Sequence, residues 1–171
     1  MSLLERVAAL LDARQVPHAL IGAAALAAAG VARSTFDIDL LTPDVAVLRR
    51  DFWESLSAAD VVADIRRGDH DDPLAGVVRL ETPSDRPVDV IVAKHAWQAH
   101  AVRRANRSPD GPPVVRPADL VLLKLYAGGN QDLWDVRELL ETPAGESIAS
   151  EVEQALAEMP SEMRDRWATV R

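Results

Sequence analysis

Apolar residues recur every three or four positions at Leu3, Leu4, Val7, Leu10 and Leu11, a spacing that predicts an amphipathic helix over residues 2–14. Pro17 stops that pattern, and residues 18–21 read as a short strand. Gly22 then opens an alanine-rich helix that Gly30 closes. Residues 36–41 form the next strand pattern, and Thr42-Pro43-Asp44 marks the start of a helix to about Leu56. Three further β-type runs cover 61–65, 76–80 and 88–92, divided by polar turns. A helix over 93–105 and a Pro/Gly-rich break at 108–113 follow. From Pro117 the pattern is helical, interrupted at Gly128-Gly129 and resumed over 132–140, 148–158 and 161–169. These elements predict a mixed α/β core over residues 1–106 and a C-terminal helical segment over 107–171.

The strand pattern at 36–41 breaks its own rule in an informative way. Side chains alternate along a strand, so Phe36, Ile38 and Leu40 share one face and leave Asp37 and Asp39 together on the other. Two carboxylates then project about 6–7 Å apart at the Cα level. Like charges so close repel, and partial burial adds a desolvation cost, so a divalent cation is their natural partner. In the run 88–92 the alternation isolates Asp89 in the same manner, which makes it a candidate third carboxylate for a two-metal site. Taken by itself Asp89 also reads as a solvated edge carboxylate. Gly22, at a strand-to-helix junction, allows backbone to approach a phosphate, and a plain tight turn is the other reading.

Composition narrows the classes. With 27 acidic and 19 basic residues the formal net charge is −8, which argues against general DNA binding and against a membrane-surface binder. Cysteine is absent, so disulfides, thiolate metal sites and cysteine nucleophiles are excluded. The longest apolar run is too short for a membrane span, and the first residues lack the basic start of a signal peptide, so a cytoplasmic location is expected. Only two of the 19 basic residues are lysines, which draws notice to Lys124 in its Leu/Val-rich helix. Its aliphatic stem on apolar surface is the alternative to a phosphate contact. Asp132 and Asp135, three apart, are placed to orient Lys124, or Asp132 to cap its own helix. Asp69-His70-Asp71-Asp72 reads as a solvated loop, with no partner at ligand spacing.

A glycine after a short strand, a helix, and then Asp-x-Asp on the next strand resembles the signature of nucleotidyltransferases of the DNA polymerase β superfamily. The stretch 20–41, with Arg33-Ser34-Thr35-Phe36-Asp37-Ile38-Asp39, looks like the minimal bacterial branch, which includes toxin-type members of type IV toxin–antitoxin and abortive-infection systems. The segment 117–136, with Lys124, Asp132 and Asp135, is similar to a second motif of that branch. The resemblance covers about residues 15–140. It implies a polymerase β-like nucleotidyltransferase fold and Mg²⁺-dependent transfer of a nucleoside monophosphate from an NTP to an acceptor hydroxyl. It further implies that Asp37, Asp39 and Asp89 are metal ligands and catalytic residues. Gly22, Ala23, Arg33, Ser34, Thr35, Lys124 and Asp132 would then hold the nucleotide, with Ala23 standing where the family carries Ser or Gly. The implied acceptor is tRNA or a partner protein, and a cognate antitoxin is the implied partner. A degenerate nucleotide-binding or partner-binding module of the same fold is the alternative.

Overall fold

The computed structural model describes residues 1–58, 60–109 and 111–171. Asp110, inside the expected break at 108–113, lies outside the described residues. In chain order the helices are α1 (Leu3–Ala13), α2 (Gly22–Ala28), α3 (Glu54–Ser57), α4 (Ala96–Arg103), α5 (Pro117–Ala127), α6 (Asn130–Glu141), α7 (Gly145–Leu156) and α8 (Ser161–Val170). The strands are β1 (Ala19–Leu20), β2 (Ile38–Thr42), β3 (Val62–Arg67), β4 (Gly76–Glu81), β5 (Val88–Val92), β6 (Asn106–Ser108) and β7 (Gly111–Val114). The chain divides into two compact units, one of Met1–Ala24 with Ser34–Val115, the other of Ala25–Arg33 with Arg116–Arg171.

In the first unit the described strands form one mixed sheet in the order β3-β4-β5-β2-β1-β7-β6. β2 runs parallel to β5 and antiparallel to β1, while β4 is antiparallel to both of its neighbours, β3 and β5. Leu40, Val78, Leu80, Val88, Val90 and Val92 point to one face of the sheet, where they join Leu3, Val7 and Leu11 of α1 and Trp53 in a single buried cluster. A large apolar side chain buried there contributes roughly 1.5–3 kcal/mol relative to exposure. α1 starts where its sequence says it should, because Ser2 and Glu5 form a reciprocal capping box.

Two segments depart from the pattern reading. The helix expected from Asp44 to Leu56 is two 3₁₀ turns, Val45–Leu48 and Arg50–Trp53, followed by the single turn of α3. The reason is tertiary. The Trp53 indole donates to the Val47 carbonyl at 2.7 Å, and Arg67 donates to the Leu48 carbonyl at 2.7 Å. Those are the acceptors an α-helix would have used four residues later. The second departure is at 108–113, where the chain is not a simple break: β6 and β7 pair there, and β7 lies parallel to β1 through Leu20 and Val114. Pro112 and Pro113 cannot donate to a ladder, yet their fixed φ suits an extended strand beside an irregular register.

In the second unit α5 is almost wholly buried, and α6, α7 and α8 pack on it. Gly128, with φ +71, ends α5 in the left-handed conformation. Arg166 of α8 then donates to the last carbonyls of α5, Leu125 at 2.7 Å and Tyr126 at 2.9 Å. Among the described residues no helix is long and apolar enough to cross a membrane.

Candidate functional site

Parallel pairing sets Asp39 on β2 directly opposite Asp89 on β5, and antiparallel pairing sets Arg79 on β4 opposite Asp89. Three neighbouring strands therefore carry Arg79, Asp89 and Asp39 in one row, on the face turned away from the hydrophobic core. Neighbouring strands lie about 4.8 Å apart, so each member of the row is within reach of the next. Asp37 precedes β2 by one residue and completes the acidic set. Phe36, expected on the core face of that strand, lies before it and is 71% exposed.

Arg79 was not singled out by its sequence, and it organises the site. Its Nη1 donates to Asp89 Oδ2 at 2.9 Å and to Oδ1 at 3.2 Å. Nη2 donates to Asp37 Oδ1 at 3.1 Å, and Nε to Glu81 Oε1 at 2.7 Å. Hydrogen bonds to Asp37 and Glu81, with the charge of Asp89, hold the guanidinium still more firmly protonated than usual. Burial raises the pKa of Asp89; the Arg79 charge opposes that shift, and the charges of Asp37 and Glu81 add to it. The signal for Arg79 was present in the sequence as the one charge within the run 76–80, on the alternation opposite Val78 and Leu80.

The Asp-x-Asp strand is held in place by its surroundings. Gly22 has φ +58, and any Cβ there would collide with the Asp39 carboxylate. Both the conformation and the space require glycine. The Ile21 amide donates to the Asp39 carbonyl at 3.0 Å. Arg86, also absent from the sequence-based set, donates to the carbonyls of Thr35 and Phe36 at 3.0 Å each and so anchors the loop before Asp37. Ala23 is buried in the first turn of α2, Ser34 is exposed and Thr35 half-buried. The loop at 69–72 is solvent-exposed as expected, and Lys94 secures it by donating to the carbonyls of Asp69, His70 and Asp72 at 2.6–3.1 Å.

A cavity of about 340 Å³ opens beside this row, with Asp89 and Arg79 in its wall together with Arg66, Arg67 and Asp72. That volume suits a small molecule or one residue of a larger one.

Among the described residues no group of three His, Cys, Asp or Glu side chains stands ready-made around a metal position. The donor chemistry nevertheless fits a hard divalent cation: Asp39 and Asp89 are paired in register on one sheet face, and a positive charge already bridges Asp89 and Asp37.

The remaining expected residues lie in the second unit. Lys124 is buried, with Nζ 3.1 Å from Asp132 and 2.6 Å from Asp135. Arg33 pairs with the same Oδ2 of Asp135, and Gln131 donates to its Oδ1 at 3.1 Å. Asp132 also accepts from the Gly129 amide at 3.3 Å, so it caps α6 and holds Lys124 at once.

No family model matches the chain, and no curated protein matches it. Solved structures do. The solution structure of the antibiotic-resistance factor ANT(2'')-Ia superposes with a TM-score of 0.53 at 17% identity, over 94% of this chain and 89% of that one. The crystal structure of ANT(2'')-Ia in complex with adenylyl-2''-tobramycin gives a TM-score of 0.50 at 18% identity, over 99% and 95%. A nucleotidyltransferase-like protein from Paracoccidioides brasiliensis gives 0.48 at 15% identity, over 95% and 90%. At such identities the likeness is one of fold: the chain has the polymerase β-like nucleotidyltransferase fold.

Proposed function

We propose that the chain is a nucleotidyltransferase that moves a nucleoside monophosphate from an NTP to an acceptor hydroxyl and releases pyrophosphate. The observation that carries this reading is the alignment of Asp39 and Asp89 at one register of the sheet, with Asp37 beside them and Gly22 packed against Asp39. In this reading Asp37, Asp39 and Asp89 hold Mg²⁺, in a two-metal arrangement. Bound there, the metal neutralises triphosphate charge and lowers the pKa of the acceptor hydroxyl.

The chain's own groups do the rest. Asp89, whose affinity for a proton is raised by burial, accepts the acceptor's proton. The backbone at Gly22 and Ala23 offers amides to phosphate oxygens, and Ser34 and Thr35 steady the loop that Arg86 anchors. In the second unit the carboxylates of Asp132 and Asp135 orient Lys124. The cavity beside Asp89 receives the acceptor, a tRNA or protein hydroxyl, and the chain acts in the cytoplasm alongside a cognate antitoxin.

Label transfer from an α-labelled NTP with Mg²⁺, against tRNA, protein and aminoglycoside acceptors, tests the reading. Asp37→Ala is expected to lower transfer by about a hundredfold or more. Equal transfer by variant and wild type overturns it. A second reading, a binding module of the same fold without turnover, is favoured by the Arg79 pairing with Asp37 and Asp89 and by Ala23 in the phosphate turn. Calorimetry with each NTP, followed by the transfer assay, separates the two.

A further inference from the structure

We propose that Arg79 is a resident counter-cation that a divalent metal must displace from Asp37 and Asp89, so that this one side chain sets the metal affinity of the site. The inference rests on the reading of those carboxylates as metal ligands.

The geometry of the fork carries it. Nη1 and Nη2 together engage both oxygens of Asp89 and both oxygens of Asp37, at 2.9–3.4 Å. Those oxygens are the donors a metal would use; each keeps a second lone pair, but an ion placed there would stand within a few ångström of a like-charged guanidinium. Strand register fixes the competitor in place, because Arg79 sits directly across from Asp89. Deprotonation does not remove it, since a guanidinium stays charged throughout the ordinary range.

Release is equally built in. Nε is held separately by Glu81, two residues along β4 and half-exposed, so the side chain has an anchor after its Nη groups let go. Arg79 is itself about one-third exposed, as is Asp37, so neither exchange nor solvent access requires opening the core. The metal-free protein thus carries a partly neutralised acidic face, and the metal-loaded protein presents a guanidinium, tethered at Glu81, at the wall of the cavity beside Asp89.

Titration with Mn²⁺, followed by loss of the free-ion paramagnetic signal, reads this directly and without activity. Charge-assisted hydrogen bonds each alter an equilibrium about tenfold, so Arg79→Gln is expected to bind Mn²⁺ on the order of tenfold tighter than wild type. Arg79→Lys keeps the charge and loses the fork, and is expected to fall between the two. The rise in Tm on adding Mn²⁺ is expected to be largest in Arg79→Gln, because that variant leaves its carboxylates mutually repelling until metal arrives. Should Arg79→Gln fold poorly, Arg79→Lys supplies the comparison. Asp37→Asn in either background is expected to weaken binding, which locates the ion. Equal or weaker binding by both Arg79 variants, with Asp37→Asn still weakening it, overturns the role of Arg79 and leaves the metal reading standing. Absence of Mn²⁺ binding in every protein overturns both.

Discussion

Among the described residues two places set a cation between two aspartates, and burial separates them. On the sheet, Arg79 lies between Asp37 and Asp89 with side-chain exposures of 32%, 35% and 17%. In the helical unit, Lys124 lies against Asp132 and Asp135, with the lysine at 7% and Asp135 at 3%. Charges removed from water to that degree cannot part without leaving one of them uncompensated, so the buried cluster fixes α5 and α6 together. The sheet cluster keeps contact with solvent, where an arriving ion can replace the guanidinium. The same pairing chemistry serves as a lock in one unit and as an exchangeable occupant in the other.

The contrast is sharpest in its response to losing a cation. Lys124→Ala takes a buried cation from between Asp132 and Asp135 and leaves Asp135 to Arg33 alone, and the expected loss is about 3 kcal/mol. Thermal melting should register this as a fall in Tm of roughly 6–12 °C for a chain of this length. Arg79→Gln is expected to shift metal-free Tm far less, because its partners keep contact with solvent; an effect as large as that of Lys124→Ala would erase the distinction. Gly22→Ala acts on the sheet site through backbone, combining a positive φ with a collision at Asp39. It should cost about 1–2 kcal/mol in urea unfolding. Arg86→Ala leaves the core intact and is expected to speed amide exchange over residues 36–38 alone.

The smallest effect is one of pH. The Leu3 amide, and after it the Arg86 amide, lower the pKa of Asp85. Its contribution is present above the ordinary carboxylate value and is lost as pH falls through the lowered one. Asp89 runs the other way: with its pKa raised, its contribution is present at low pH and fades as pH rises through that raised value. Melting of Asp85→Asn beside wild type from pH 7 to 3 should therefore show a gap that closes toward acid.

Period-two alternation exposed Asp37, Asp39 and Asp89 in the sequence, because carboxylates confined to one face of an apolar strand need a positive charge to hold them there. Their convergence was not legible in the same way. It depends on parallel pairing between β2 and β5, whose paired residues are 50 positions apart (Asp39 with Asp89). The role of Arg79 is not legible from sequence, because an arginine on a half-exposed strand face is ordinary until its cross-strand partner is known. The segment 44–56 carries a helical pattern without being a helix for a related reason: Trp53 and Arg67 take its carbonyls, and no local pattern encodes a donor arriving from another strand. Lys124 stands out by the scarcity of lysine, and spacing alone points to its two aspartates.

Nucleotidyl transfer is defined by which phosphorus is attacked. Parallel reactions with α-labelled and γ-labelled ATP, Mg²⁺ and an acceptor, run with wild type and Asp39→Asn, decide it. The expected result is α label on the acceptor, γ label in pyrophosphate, and neither product with Asp39→Asn. Transfer of γ label to the acceptor, or α-label transfer undiminished in Asp39→Asn, would contradict it.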